Sequence, residues 1–226
     1  MTVPAPDPRV VRAASLEELR RLRLPVPPRG FPLVWEPGDR VELRPTAEIE
    51  KRAAVLHLVV ARCFGMPPQP AMSWLLSSHL VEAVTPPEWQ FVVGGRGDHR
   101  SFALHHDAVF ALAWVLGLTK HLDPESPTDE RLMETLPDLP AGETFAQWRS
   151  RTLAAPREAA EAAALLDLYY CLDWGHLEAQ RRRLPRRGLI DANATGQRRW
   201  ALEWAVVFRG PYHDPPCGWE EIDLST

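Results

Sequence analysis

His105-His106-Asp107 is the first place along the chain where groups able to move a proton or bind a metal stand side by side. On a helix, His106 shares a stripe with Phe102 and Val109, while His105 points about a third of a turn away, so the two imidazoles do not easily serve one site. One inward histidine can act as a base or a ligand. More often it is a core histidine bonded to a carbonyl or carboxylate. His106 is kept as a candidate ligand-binding residue, together with Trp35 and Trp114. Asp173 and His176 form a second constellation. At i and i+3 on a helix they face one side, as in metal-binding helical bundles, and they are the candidate metal pair. Such a site needs a second helix with further carboxylates, and His79-Leu80-Val81-Glu82 offers only the reversed order.

Other residues suggest less. His213 and Cys217 are zinc-ligand types, but paired Cys or His motifs are missing around them, and a Pro-fixed surface loop is the simpler expectation. Arg96-Gly97-Asp98 reads as a glycine turn with its charges outward. The glycines match neither a phosphate loop nor a dinucleotide fingerprint, and no Gly-x-Ser-x-Gly elbow occurs. Arg181-Arg182-Arg183 with Arg186-Arg187 is a basic run that suits the negative end of a helix dipole. Glu36, Asp39, Glu42 and Arg44 lie near Trp35, either lining a cleft between an arm and the body or forming the rim of a packed arm.

Composition narrows the partners. A net charge of −4 disfavours a duplex nucleic-acid surface. Only Lys51 and Lys120 are lysines among 26 cations, which reads as a GC-rich coding genome. Three scattered cysteines, Cys63, Cys171 and Cys217, give no disulfide framework, and no apolar run reaches the length of a membrane span. The first residues lack the apolar core of a signal peptide. The expected protein is cytoplasmic, with no cofactor, no nucleic acid and no membrane, but with a possible protein partner. Its oligomeric state is not legible.

The elements that must position these residues are helical. Residues 1–13 are Pro-rich and expected to be disordered. Ser15-Leu16-Glu17-Glu18 predicts a capping box and a helix to Leu22, and prolines then force an extended arm over residues 24–45. Helices are expected over 46–64, 70–83, 86–93, 102–116, 128–136, 143–151, 157–184 and 196–208, with Gly65 and Gly117 as stops. The fold class is all-α: a single irregular domain over 14–226 with about seven to nine helices, the Pro-rich arm at its N-terminal side and a C-terminal tail that docks.

The order of several fragments carries a resemblance. Leu16-Glu17-Glu18-Leu19-Arg20-Arg21-Leu22 leads to Leu24-Pro25-Val26-Pro27-Pro28. A helix over 46–62 follows, then Ala111-Leu112-Ala113-Trp114-Val115-Leu116-Gly117-Leu118. The end reads Arg199-Trp200-Ala201-Leu202-Glu203-Trp204 and Trp219-Glu220-Glu221-Ile222-Asp223-Leu224-Ser225-Thr226. Together they resemble the bacterial family called domain of unknown function 4272, from about Ser15 to the end. Two departures stand out: His105-His106-Asp107, where the family more typically has an Arg and a Glu, and a longer loop over 210–217. The resemblance implies a fold and a bacterial source and carries over no catalytic residue. The expected function is a non-catalytic binding or interaction protein. The alternatives are a small-molecule binder or enzyme with a cleft near His106, and a metal-binding helical protein using Asp173 and His176.

Overall fold

The computed structural model describes residues 2–128, 130–152, 155–184, 192–214 and 216–225. The chain is mainly helical, as expected: eight α-helices and one small antiparallel sheet among the described residues. No described helix is long and apolar enough to cross a membrane. Two compact units share the chain. Unit 1 takes Met1–Arg44, Asp123–Pro127 and Arg157–Thr226, and unit 2 takes Pro45–Leu122 and Thr128–Pro156.

In unit 1, strand β1 (Val3–Pro4) precedes helix α1 (Pro8–Arg21). Asp7 caps α1 by accepting from the Arg9 amide, with Pro8 at the first helical position, where its missing N–H costs nothing. The helix therefore starts seven residues before the predicted capping box. Ser15 is buried, and its hydroxyl donates to Asp167 at 2.7 Å instead of capping. A proline-rich arm leads to β2 (Arg40–Leu43). Helix α7 (Ala159–Arg181) is the longest, and α8 (Ala192–Ala205) packs on it. Arg186 and Arg187 of the basic run lie outside the described residues.

The helix predicted to reach Phe208 stops at Ala205, and β3 (Val206–Arg209) follows. Val206 and Val207 are β-branched and fit a pleated surface better than a last helical turn. Strands β1, β2 and β3 pair antiparallel in that order, with Val41 opposite Phe208 and Leu43 opposite Val206. The sheet is local and leaves the all-α class intact.

Unit 2 is built around α2 (Thr46–Cys63), whose residues 53–60 are all buried. Helix α5 (His99–Val115) packs along it, with α3 (Pro68–Ser77) and α4 (Pro86–Gly94) beside it. The predicted box at Thr85 is present: the Thr85 amide donates to Glu88 at 2.8 Å. Glu88 is fully buried and paired with Arg52. The predicted second helix over 70–83 divides into α3 and a separate turn of 3-10 helix, Val81–Ala83, because His79 enters the left-handed region at φ 54. Residues Glu130–Thr135 also form 3-10 helix, and α6 (Phe145–Arg151) begins at a Thr144–Gln147 box.

Candidate functional site

The sequence candidates are divided between the two units. Trp35 belongs to unit 1, while His106 and Trp114 belong to unit 2. Of the adjacent histidines, His105 is the buried one, edge-on to Phe102 at 5.8 Å, and His106 is half-buried. Of the stripe read from the sequence, Phe102, Val109, Ala113 and Leu116 are buried, and the inward histidine is His105 rather than His106. His57 is as deeply buried as His105. Its ring on α2 places Nε2 3.1 Å from the Pro137 carbonyl, and Nδ1 has no hydrogen-bond partner among the described residues. Burial, with His106 nearby, pulls its pKa down to about 4, so the ring is neutral.

Asp173 is buried on α7, and its carboxylate accepts from Arg199 at 2.6 Å. That ion pair engages Oδ2. His176, one turn on, is half-buried. Among the described residues no three His, Cys, Asp or Glu side chains group as a metal site. His213 is likewise engaged, with Nε2 2.7 Å from Asp39. Trp35 is 1% exposed and donates to the Pro6 carbonyl at 2.8 Å. It stacks on one face of Phe208 at 5.0 Å, and His213 stacks on Phe208 at 5.5 Å. Trp35 thus braces a wall.

Phe208 is part of the wall of a cleft of about 350 Å³ within unit 1. Leu33 and Val34 come from the arm, Leu166 and Tyr170 from α7, and Arg199 and Glu203 from α8. Residues of the C-terminal tail, Cys217, Ile222, Asp223 and Ser225, close one side. Two buried arginines hold this arrangement. Arg12 of α1 donates from Nη2 to Asp167 at 2.8 Å and to the Pro32 carbonyl at 2.9 Å, tying the arm to α7. The Arg12 guanidinium, held charged by Asp167 against its own burial, lies 5.7 Å from the Tyr170 ring centre. Phe31 stacks on Tyr170 at 4.8 Å.

Arg199 is the second. It donates from Nε to Glu203 at 2.7 Å, and from Nη1 to Asp173 at 2.6 Å and to the Leu224 carbonyl at 3.1 Å. Its guanidinium carbon sits 4.7 Å from the Tyr170 ring centre. Burial raises the pKa of Glu203; Asp173 and Asp223 add like charge, and Arg199 opposes them. Burial also raises the Tyr170 phenol. Asp223 is held ionised by the Ser225 amide and hydroxyl.

The tail is anchored beside the cleft. Trp219 is 4% exposed, stacked on Trp200 at 5.4 Å and edge-on to Trp204 at 5.6 Å. Trp200 donates to the Trp219 carbonyl at 2.9 Å, and Arg44 covers the Trp204 ring at 4.6 Å while bonding the Cys217 carbonyl. Sequence reasoning missed Tyr170, Arg199 and Glu203 as site residues. A signal was present: Asp167, Tyr170 and Asp173 repeat every three residues on an otherwise Ala/Leu-rich helix, and Arg199 and Glu203 stand at i and i+4.

Unit 2 has a polar hollow of about 490 Å³ beside Glu143 and Arg151. Those two side chains are paired with each other at 2.8 Å.

A family model described as Domain of unknown function (DUF4272) matches residues 12–222 of the 226. No curated protein and no solved structure gives a significant match.

Proposed function

The chain belongs to this family, the domain of unknown function DUF4272, and from its cleft we propose that it is a non-catalytic binding protein that holds a segment of a partner protein. The carrying observation is the cleft itself. Its volume of about 350 Å³ is at the small end of ligand pockets, and it combines apolar walls with a few fixed charges. The charged side is preorganised, because Arg199 is clamped by two carboxylates and a tail carbonyl. Among the described lining residues no nucleophile is paired with a histidine base: Ser225 donates to Asp223 at 3.0 Å, and no His lines the wall. The proposed setting is the cytoplasm, supported by three free thiols at Cys63, Cys171 and Cys217.

The test is recovery from the native host. Wild-type chain should retain a stoichiometric partner, and Ile222→Glu, which puts a charge on the half-buried apolar lip of the cleft, should lose it without a change in melting temperature. Absence of any stoichiometric partner with the wild type, or retention by the variant, overturns the reading.

A further inference from the structure

Resting on that reading of the cleft, we infer that the partner segment binds as an added β-strand. An extended stretch of polypeptide, about three residues long, pairs along the open edge of β3. Its backbone meets Val206 and Phe208, and its alternate side chains lie on the apolar wall of the cleft.

The register of the sheet fixes which groups of β3 face outward. The Arg44 amide donates to the Ala205 carbonyl at 2.9 Å, at the position that continues the β2–β3 register by one pair. Bonded and non-bonded pairs alternate in an antiparallel ladder, so the next bonded pairs are Glu42 with Val207 and Arg40 with Arg209. On the other side of β2, the Ala5 amide donates to the Asp39 carbonyl at 2.9 Å, which by the same alternation commits Val41 to Val3 of β1. Both deductions agree that Val41 does not bond Phe208. The main-chain groups of Val206 and Phe208 therefore point away from β2. β3 ends the sheet on that side, and neither the amide nor the carbonyl of Phe208 has a hydrogen-bond partner among the described residues.

The two edges of the sheet are treated differently. Strand β1 has two residues, and the one whose nitrogen faces outward is Pro4, which has no N–H. An added strand finds no donor there. Strand β3 has no proline, and Val206, Val207 and Phe208 are β-branched or aromatic. Val206 and Phe208 also line the cleft, so the open edge and the apolar residues Leu33, Val34 and Ile222 belong to one site. Main-chain donors and acceptors that recur at every second residue are matched by the backbone of another extended chain. A residue bonded to Phe208 places its side chain on the same face as the Phe208 ring, where an apolar group fits. The rival occupant is a second copy of this chain, paired β3 to β3.

Amide hydrogen exchange and a peptide titration of the full chain, both read by NMR, test this. In the chain alone, the Phe208 amide should exchange at least about tenfold faster than that of Val207, which is bonded to β2. The probe is acetyl-Val-Thr-Val-Thr-Val-Lys-amide. Two further forms are N-methylated, one at the central Val and one at the Thr that follows it. The unmodified peptide should shift the Ile222 methyl, leave that of Ile49 in unit 2 unmoved, and slow exchange at Phe208. Methylation at the central Val removes an N–H aimed at β3 and should weaken affinity about fivefold or more, whereas methylation at the Thr, whose N–H faces away, should change it by less than about twofold. Equal binding of the two methylated forms at Ile222, or slow exchange of Phe208 in a monomeric chain, overturns strand addition while leaving partner binding in the cleft intact. Slow exchange of Phe208 in a chain that sediments as a dimer overturns it in favour of pairing between copies. No shift of Ile222 with any peptide at millimolar concentration also overturns it, and the cleft reading is then judged by Ile222→Glu alone.

Discussion

Buried ionic groups do most to organise this chain at the scale of single residues. Asp167 is 1% exposed and meets both Arg12 and Ser15, so its loss strands a buried guanidinium. Asp167→Ala should cost about 3–5 kcal/mol, read as a fall in the urea midpoint. A loss under about 1 kcal/mol would show that Arg12 finds water or another partner. His57 gives a pH dependence of known sign. Burial, and to a lesser extent His106, lowers its folded pKa from the ordinary value of 6.5 to about 4, and the Pro137 carbonyl and Asp138 oppose that shift. Between these values the unfolded chain binds the extra proton. The stability from a neutral His57 is therefore complete above pH 6.5 and is lost as pH falls to about 4, a loss of roughly 3 kcal/mol. His57→Gln should flatten urea-melt stability over that window, and an unchanged slope would assign the dependence to other groups.

At the scale of elements, the tail works as a latch built from one tryptophan. Trp219→Ala removes both ring contacts to α8 and should lower the melting temperature by roughly 6–12 °C, taking about 3 kcal/mol for a large-to-small change. Tyr212→Ala, at a side chain 81% exposed, should change it by less than about 1 °C. If Trp219→Ala left stability unaltered, the stacked tryptophans would have to serve recognition. The end of α5 makes a second test. Gly117 has φ +74, and a Cβ there would come within 2.1 Å of the Ala155 carbonyl oxygen. Gly117→Ala should destabilise by more than about 1 kcal/mol in thermal melts, from backbone conformation alone and before the clash is counted.

For the whole molecule, the two units are interleaved in sequence. The chain leaves unit 1 after Arg44, returns for Asp123–Pro127, and rejoins it at Arg157. Arg198 fastens that middle return by donating to the Asp123 and Ser126 carbonyls at 3.1 and 3.0 Å. A chain ended at residue 156 lacks α7, α8 and β3, which supply the packing for α1 and β2. Its residues 2–44 should become sensitive to limited proteolysis while α2 and α5 stay protected, since those two pack within unit 2. Uniform digestion would mean that the units depend on each other for stability.

Local periodicity and cap chemistry determined most of the helices, because both act within a few residues. The Thr85–Glu88 box, the stops at Gly65 and Gly117, and the buried run of α2 were all legible. The aromatic tail was legible as something that must dock, since Trp200, Trp204 and Trp219 bury too much apolar surface to stand in water. Tertiary structure alone decided what polar side chains do. Ser15 reads as a cap but turns to Asp167, 152 residues away, and Val206–Arg209 leaves the helix because β2 offers it a ladder. Asp173 reads as half of a metal pair, and its bond to Arg199, 26 residues on, was not legible. The cleft was illegible for the same physical reason: its charge balance is a sum over the arm, α7, α8 and the tail, which only folding brings within reach of one another.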